Sequence, residues 1–279
     1  MAPVSVLILT LNEEVNLPRC LASLQWSDDV VVLDSFSTDR TLEIARAAGA
    51  RIVQRRFDNW SAHQNWAVRN ISFKHPWVFY IDADEEVTPE LAREIERTLG
   101  GGDVKEVAFR VRRKDMFWGK WLRFSSMYPI WLMRLFRPEK VHWERLVNPV
   151  AVVDGPEGRL REHMVHHSFN KGMQAWLAKH TQYARFEAEE ATRLLKSHKL
   201  DVAGLFAFGD PVRRRQALKA LSVYLPFRPT LRFIYMYLLR GGILDGWAGL
   251  TYCRLMAIYE YMIVLNIREM RRRARGESI

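Results

Sequence analysis

Trp77-Val78-Phe79-Tyr80-Ile81-Asp82-Ala83-Asp84-Glu85-Glu86 is the stretch of sequence that decides the fold of this chain. Its first half is apolar and aromatic, and it is short and rich in strand-forming residues, so it predicts a buried β-strand. Its second half is acidic. A buried parallel strand that ends in acids places them at the carboxyl edge of a sheet, where open α/β folds bind their ligands.

The acids Asp82 and Asp84 are separated by one residue, so an extended backbone aims both side chains the same way. Two carboxylates on one side suit Mg²⁺ or Mn²⁺ that bridges a diphosphate. The alternative is that the acids only favour the start of the helix predicted at Thr88-Pro89. The Asp-x-Asp pattern by itself leaves both interpretations open.

The rest of the first hundred residues repeats the pattern of a strand followed by a helix. Strands are predicted at residues 4–10, 29–34 and 51–54. The helices between them are predicted to begin near Ser37 or Thr38 and near Ser61. This alternation predicts an α/β fold with a mostly parallel sheet flanked by helices.

Beyond residue 104 the pattern changes. Half-exposed strands are predicted near residues 107–112, 133–137 and 149–153, so the sheet is expected to be mixed, and a helical stretch follows from about residue 171. This change of pattern predicts one domain over residues 1–170, with a first half at about 1–100 and a second half at about 104–170. Residues 171–279 form a helical, basic and apolar C-terminal region.

The chain is basic, with 279 residues and a net charge of +10, and the excess charge is concentrated near its end. Basic clusters at Arg213-Arg214-Arg215 and Arg271-Arg272-Arg273 flank apolar stretches that charged residues interrupt. A helix that spans a bilayer is therefore not predicted. We expect peripheral or monotopic attachment to an anionic membrane; the alternative is a helical subdomain packed on the core.

The compartment is predicted from two further features. The first apolar run, Val4 to Leu11, is preceded by no basic residue and followed at once by Asn12-Glu13-Glu14, so it lacks the pattern of a signal peptide. Cys20 and Cys253 are expected to be buried free thiols. We expect an active site at the cytoplasmic face of the inner membrane.

Three motifs in order resemble the family 2 inverting glycosyltransferases of the GT-A fold, a Rossmann-like fold: Thr10-Leu11-Asn12-Glu13 after the first strand, Asp34 and Ser37-Thr38-Asp39 after the second, and Asp82-Ala83-Asp84 after the fourth. Ser35-Phe36 stands where many members have Asp-Gly. The stretch from Arg113 to Trp121, Tyr128-Pro129 and the stretch from Arg134 to Arg137 resemble the subgroup with the lipopolysaccharide-core β-1,4-glucosyltransferases. Val141-His142-Trp143-Glu144 carries one residue more than that subgroup's Val-His-Glu motif.

The resemblance implies that residues 1–170 are the catalytic domain, with a nucleotide-sugar half at about 1–100 and an acceptor half at about 104–170. It also implies the substrates and the site. The donor is a UDP-sugar, bound with Mg²⁺ or Mn²⁺, and the acceptor is a saccharide or a lipid-linked saccharide of the cell envelope; a hexose such as glucose is expected. Asp84 and Asp82 are candidate metal ligands, with His167 as a further one. The general base is expected to be Glu144, with Asp115 as the second choice. The candidate nucleotide and diphosphate residues are Thr10, Leu11, Glu13, Asp34, Asp39, Asp82, Arg134, Arg137 and Lys171.

Two other functions stay open at this point. A polyprenyl-phosphate glycosyltransferase would share the fold and the donor, but its acceptor phosphate needs no general base. A basic protein that binds membranes or nucleic acid without catalysis would fit the charge and the aromatic residues. It does not explain acids at three strand ends, so no nucleic-acid partner is expected.

Overall fold

The computed structural model describes residues 3–102, 104–144, 149–197, 201–207, 214, 217, 218, 221, 225 and 227–279. These form two compact units: residues up to 121 together with 128–171, and residues 122–127 together with those from 172 to the end. The predicted division into a catalytic domain up to residue 170 and a C-terminal region after it concerns function, and it stays a prediction. Cys20 and Cys253 are buried free thiols, as predicted.

The strands of the first unit alternate with its helices up to residue 100. Among the described residues the strands are β1 (Val4–Thr10), β2 (Val30–Asp34), β3 (Arg51–Gln54), β4 (Trp77–Asp82), β5 (Glu85–Val87), β6 (Ala108–Phe117), β7 (Lys120–Trp121), β8 (Ile130–Phe136), β9 (Val141–Glu144), β10 (Val150–Val153) and β11 (Glu157–His166). The helices of this unit are α1 (Leu17–Ala22), α2 (Thr41–Ala47), α3 (Trp60–Asn70) and α4 (Pro89–Gly100).

The large sheet has the strand order β3-β2-β1-β4-β8-β6-β11-β5, with β7 paired to β6 outside this path. The strands β3, β2, β1 and β4 are parallel. Strand β8 is antiparallel to both β4 and β6, whereas β11 is parallel to β6 and antiparallel to β5. The predicted α/β class with a mixed sheet is confirmed. Strands β9 and β10 form a separate two-stranded sheet.

The first strand is buried along its whole length because helices cover both faces of the sheet. Alternate residues of β1 belong to two different apolar clusters: Val6 and Ile8 pack on the side of α1 and α4, and Leu7 and Leu9 pack on the side of α3. A parallel strand that is buried on both faces reads as a continuous apolar run. This explains why the sequence predicted β1 with its observed bounds.

The predicted N-cap residues of two helices are wrong. Helix α2 begins later than Ser37 or Thr38 predicts, with Arg40 at its N-cap position. Helix α3 is capped by Asn59, whose side-chain oxygen accepts a backbone N–H at 2.9 Å, rather than by Ser61. Asn and Ser are equally good N-caps, so the sequence alone does not decide which residue of a short polar run caps the helix.

The second unit is helical. The helices with described bounds are α5 (Gly172–Ser197), α6 (Val202–Leu205), α7 (Arg228–Ile234) and α8 (Gly246–Ala274), with a π-helical turn at Tyr235–Leu239 and a 3₁₀ turn at Gly242–Asp245. Small residues of α5, such as Ala184 and Ala188, pack against Ile263 and Ile267 of α8. The predicted cluster Arg213-Arg214-Arg215 lies largely outside the described residues. In the part of the chain that is described, no helix has both the length and the apolar character needed to cross a bilayer.

Candidate active site

The ends of the four parallel strands meet at one edge of the sheet. Thr10 lies opposite Asp34 in the β1–β2 register, Asp34 lies opposite Gln54, and Leu9 lies opposite Asp82. The predicted nucleotide residues and the predicted metal residues are therefore on adjacent strands. The structure brings these two groups together, as the strand-end argument expected.

A group of charged side chains surrounds the end of β4, and we call it the strand-end cluster. Its members come from β4, β5, β6, β8 and β11 and the turn between β4 and β5: Asp82, Asp84, Glu85, Arg113, Asp115, Arg134 and His166. Four acids and two arginines are thus assembled around one histidine. Such a buried group is stable only if its charges are paired.

Arg134 pairs with two of these acids. Its Nη2 lies 2.8 Å from Asp82 Oδ2 and 2.7 Å from Glu85. Burial alone would lower the pKa of the guanidinium, but the Glu85 and Asp82 charges raise it, so Arg134 stays charged. Burial likewise acts to raise the pKa of Asp82, and the Arg134 charge outweighs it and holds that pKa below its usual value. Arg134 is therefore engaged by Asp82 and Glu85, and its predicted diphosphate role stays a prediction.

His166 bridges the other pair of acids. Its Nδ1 lies 2.6 Å from Asp115 Oδ1, and its Nε2 lies 3.3 Å from Asp84 Oδ2. Burial and Arg113 act to lower the pKa of His166, but the Asp84 charge and the hydrogen bonds to Asp115 and Asp84 raise it to about 9. His166 therefore carries a positive charge between two carboxylates at neutral pH.

Two acids of the strand-end cluster reach solvent. The side chains of Asp82 and Asp84 are 35% and 20% exposed, whereas that of Glu85 is fully buried. Thr88, rather than one of these acids, caps α4 through a hydrogen bond from the backbone N–H of Leu91. The acids are thus not needed as caps, and the two exposed carboxylates are the ones that can meet a ligand.

The fit of a divalent metal follows from this donor set. Carboxylate oxygens are the ligands that Mg²⁺ and Mn²⁺ prefer. Across the residues that the structure describes, no three His, Cys, Asp or Glu side chains are grouped so that they could hold a metal ion by themselves. Proteins often bind Mg²⁺ through one or two carboxylates, and substrate phosphate oxygens supply further ligands. Asp82 and Asp84 fit a metal site of this kind.

Asp34 is buried and organises the loop that follows β2. Its Oδ1 accepts the Thr10 hydroxyl at 3.0 Å, and its Oδ2 accepts the Ser37 backbone N–H at 2.9 Å and the Gln54 amide at 3.2 Å. The side chain is fully buried. Asp34 therefore holds the loop after β2, which is part of the predicted nucleotide site.

The loops after β1 and β2 are tied to each other. Asn12 donates its backbone N–H to Ser37 Oγ and accepts the Thr38 backbone N–H, both at 2.8 Å. Exposed apolar side chains on these loops include Leu11 at 50% and Phe36 at 49%. Phe36 has a φ of 63°, a left-handed conformation that is unusual for an aromatic residue and costs about 1–3 kcal/mol.

Three further predicted nucleotide or diphosphate residues have local partners. Lys171 Nζ lies 2.6 Å from Glu13 Oε1, so these two candidates contact each other. Burial raises the pKa of Glu13 above its usual value, although the hydrogen bonds from Lys171 and Asn16 oppose this shift. Asp39 accepts the backbone N–H of Thr41 at 3.0 Å, so it lies at the start of α2.

The two candidate bases lie in different surroundings. Glu144 ends β9, and its side chain is 64% exposed with Oε1 3.5 Å from His142 Nε2. Asp115 is buried; burial acts to raise its pKa, but hydrogen bonds and charges from His166 and Arg113 hold it below its usual value. A low pKa makes a weak proton acceptor. Of the two candidate bases, Glu144 is the one whose carboxylate is exposed, and the choice between them stays a prediction.

Two other candidates have side-chain partners outside the strand-end cluster. Arg137 is stacked on Trp77, with its guanidinium carbon 5.0 Å from the ring centroid, at the opposite end of β4 from Asp82. His167 Nε2 lies 3.3 Å from Glu86, while its backbone N–H donates to the Asp84 carbonyl at 2.8 Å. The structure does not bring Arg137 to the strand-end cluster.

Sequence reasoning missed several members of the strand-end cluster. Glu85, Arg113 and His166 were not predicted as site residues. The signal for His166 was weak, because β11 was not recognised as a strand and its neighbour His167 is an equally plausible candidate. Pairing β11 with β6 aligns His166 with Asp115, and only this pairing distinguishes the two histidines.

Comparison with known proteins gives the family. Residues 5–155 match the family model described as glycosyl transferase family 2. The chain is 24% identical over 272 residues to the lipopolysaccharide core biosynthesis glycosyltransferase LpsC of Rhizobium meliloti, covering 95% of this chain and 92% of that one. It is 36% identical over 121 residues to an uncharacterized glycosyltransferase of Rickettsia typhi, covering 43% of this chain and 41% of the relative.

Among solved structures, the mannosyltransferase PcManGT from Pyrobaculum calidifontis in complex with GDP-Man and Mn²⁺ aligns over 95% of this chain and 88% of its own, at a TM-score of 0.50 and 16% identity. At that identity the likeness shows the fold alone, and it confirms the predicted GT-A fold. The family model covers more than half of the 279 residues. The chain therefore belongs to glycosyl transferase family 2.

Proposed function

We propose that this protein transfers a hexose from a UDP-sugar to a saccharide or lipid-linked acceptor in the synthesis of a cell-envelope glycan, such as the lipopolysaccharide core. The observation that carries the proposal is the position of Asp82 and Asp84, two half-buried carboxylates that reach solvent at the strand end next to the hydrogen-bonded loops of Asp34 and Asn12. The likeness to LpsC over nearly the whole chain supports the choice of acceptor class. Membership of the family favours an enzyme over a binding protein without catalysis.

The donor would lie across the carboxyl edge of the parallel strands. Its base would lie against Leu11 and Phe36, whose exposed apolar surfaces suit a planar ring. Its diphosphate would then reach Asp82 and Asp84 on the adjacent strand end. With a bound Mg²⁺ or Mn²⁺, these two acids would hold the ion, which neutralises charge on the leaving diphosphate.

Direct displacement at the anomeric carbon forms one bond and breaks one. The acceptor hydroxyl oxygen bonds to the anomeric carbon as the bond to the diphosphate oxygen breaks, and UDP leaves. Glu144 would take the hydroxyl proton. Its neighbour Trp143 packs on Tyr80, with ring centroids 6.4 Å apart, and the Tyr80 hydroxyl donates to Asp82 at 2.6 Å. These contacts support a base close to the predicted metal site.

The test is a donor and metal screen on the intact protein. Labelled nucleotide sugars are incubated with the protein and envelope glycan acceptors, with Mg²⁺, with Mn²⁺ or with a chelator. We expect transfer from a UDP-sugar that the chelator abolishes. We expect a loss of about 100-fold or more in Asp84→Asn, because an amide holds the metal more weakly than a carboxylate and the metal neutralises the leaving group.

The matched control is Asp154→Asn, an exposed aspartate paired with Lys140. It should keep normal turnover. Normal transfer by Asp84→Asn without metal would refute the metal role of Asp84, and transfer from a GDP-sugar alone would refute the UDP-sugar donor.

A further inference from the structure

Helix α8 presents one exposed face that is both apolar and cationic. The residues that form it, which we call the exposed stripe, are Trp247, Arg254, Ile258, Tyr261, Leu265 and Arg268. They follow each other at intervals of seven, four, three, four and three residues, the spacing of a single helix face. From its first to its last residue the stripe is about 32 Å long, at 1.5 Å of rise per residue.

The opposite face of α8 is already occupied. Ile263 and Ile267 pack on the alanines of α5, and Glu260 is buried in an ion pair with Arg228. The other acid of the helix, Glu269, pairs with Arg273 at 2.6 Å. Packing within the unit therefore orients α8, and it leaves the exposed stripe on the outside.

The apolar surface continues before the helix begins. Leu239, Ile243 and Leu244 are 76%, 51% and 67% exposed, and Trp247 at the start of the stripe is 70% exposed. Single exposed apolar residues are ordinary on protein surfaces, but a continuous series of them marks an interaction site.

The combination of apolar and cationic residues in the exposed stripe indicates which kind of partner it binds. Residues 227–279 contain nine arginines and four acids, so this surface has an excess of positive charge. Against a second copy of the chain, the stripe would bring arginines of both copies together without a carboxylate of the stripe to neutralise them. Against a lipid surface, the apolar side chains enter the head-group boundary and the arginines reach the phosphates.

We infer that the exposed stripe of α8 binds the surface of an anionic phospholipid bilayer, with the helix lying in the plane of the membrane. This goes beyond the proposed function, because lipid binding by this face requires no catalysis. Where the predicted attachment relied on arginine clusters, the structure points to interleaved Trp247, Ile258 and Leu265 with Arg254 and Arg268.

The experiment uses the full chain and flotation with vesicles of phosphatidylglycerol and phosphatidylcholine at low and high salt. Three variants are compared with the wild type: an apolar variant (Trp247→Gln, Ile258→Gln and Leu265→Gln), a charge variant (Arg254→Gln and Arg268→Gln), and a control (Leu177→Gln and Phe186→Gln). The control replaces two exposed apolar residues of α5. Circular dichroism and calorimetry with UDP are recorded for each variant.

The wild type should float with anionic vesicles, more weakly at high salt but still measurably. At low salt the charge variant should bind about 30-fold more weakly, since each basic residue near an anionic surface contributes about fivefold. The apolar variant should bind at least about tenfold more weakly at both salt concentrations, because salt does not screen apolar burial. The control should stay within about twofold of the wild type.

Three results would overturn the inference. They are a wild type that stays at the bottom of the gradient at both salt concentrations, stripe variants that float like the wild type, and a control that loses binding as much as the stripe variants. Dimers in solution that the apolar variant loses would assign the face to a second copy instead. None of these results depends on UDP binding or transfer, so the two proposals fail separately.

Discussion

At the scale of single residues, the buried acid Asp34 holds the loop that follows β2 in the predicted nucleotide site. Four hydrogen-bond donors converge on its carboxylate: the Thr10 hydroxyl on β1, the Gln54 amide on β3, and the backbone N–H and hydroxyl of Ser37 in the loop after β2. A buried carboxylate with several donors is held firmly, and the donors lose their partner when it is removed. The shape of the loop that carries Phe36 therefore depends on Asp34.

We predict that Asp34→Ala weakens UDP binding by about tenfold or more, because the loop loses its support. Isothermal titration calorimetry of UDP measures the change. The isosteric variant Asp34→Asn, which keeps one acceptor oxygen, should lose less. Equal affinity in the wild type and Asp34→Ala would place the nucleotide elsewhere.

His63 makes the stability of the protein depend on pH. Burial, together with the nearby Arg55 charge, lowers the pKa of His63 to about 4. The unfolded chain, with a His pKa near 6.5, binds this proton first as the pH falls. The stability that neutral His63 contributes is therefore fully present above about pH 6.5 and is lost progressively as the pH falls toward 4.

We predict that between pH 7 and pH 5 the wild type loses about 2 kcal/mol more unfolding free energy than His63→Gln. Glutamine keeps an acceptor for Arg55, whose Nη1 lies 2.8 Å from His63 Nδ1, and it does not titrate. Urea unfolding at the two pH values measures the difference. Parallel losses in the two proteins would show that His63 is not the titrating group.

At the scale of secondary-structure elements, the ends of strands carry the site. Strand β4 ends at Asp82, and the chain turns at once into β5, so Asp82 and Asp84 take different partners, Arg134 and His166. The two acids thus have different ion-pair partners although only one residue separates them. The two-stranded sheet of β9 and β10 contributes Glu144 at the end of β9.

We predict that Glu144→Gln lowers kcat by about 100-fold or more while UDP binding and the unfolding free energy stay unchanged. Glu144 is exposed, so its replacement removes a proton acceptor and leaves the packing intact. Steady-state kinetics and calorimetry measure both effects, and the exposed Glu139→Gln is the matched control. A fully active Glu144→Gln would favour the polyprenyl-phosphate acceptor, which needs no base.

At the scale of the whole molecule, the second compact unit recruits a segment from far away in the sequence. Buried Asp245 accepts the backbone N–H groups of residues 123–125 and the Ser125 hydroxyl at 2.7–3.2 Å. The six residues 122–127 thus belong to the C-terminal unit although the chain on both sides of them belongs to the first. The Asp245 carboxylate therefore satisfies backbone N–H groups, which in a sheet would donate to a neighbouring strand.

We predict that Asp245→Ala lowers the unfolding free energy by about 3 kcal/mol or more, since several buried donors lose their acceptor together. Urea unfolding measures the loss, and limited proteolysis should cut within residues 122–127. The exposed Asp154→Ala should change the unfolding free energy by less than about 0.5 kcal/mol. An unchanged unfolding midpoint for Asp245→Ala would contradict this account.

The sequence by itself determined the α/β class, the parallel strands β1 to β4 and the strand-end acids Asp34, Asp82 and Asp84. These features are local: a buried strand between two helical layers must be apolar along its length, and its end must be polar. The apolar runs and the acids that follow them are therefore visible directly in the sequence.

Only the tertiary structure decided which groups meet around those acids. Arg134, Asp115 and His166 come from three strands far apart in sequence, and the pairing of β11 with β6 aligns His166 with Asp115. The exposed stripe of α8 is likewise defined by what α5 and Arg228 cover on its other side. Charge pairing and burial depend on contacts between distant segments, and no local pattern in the sequence encodes those contacts.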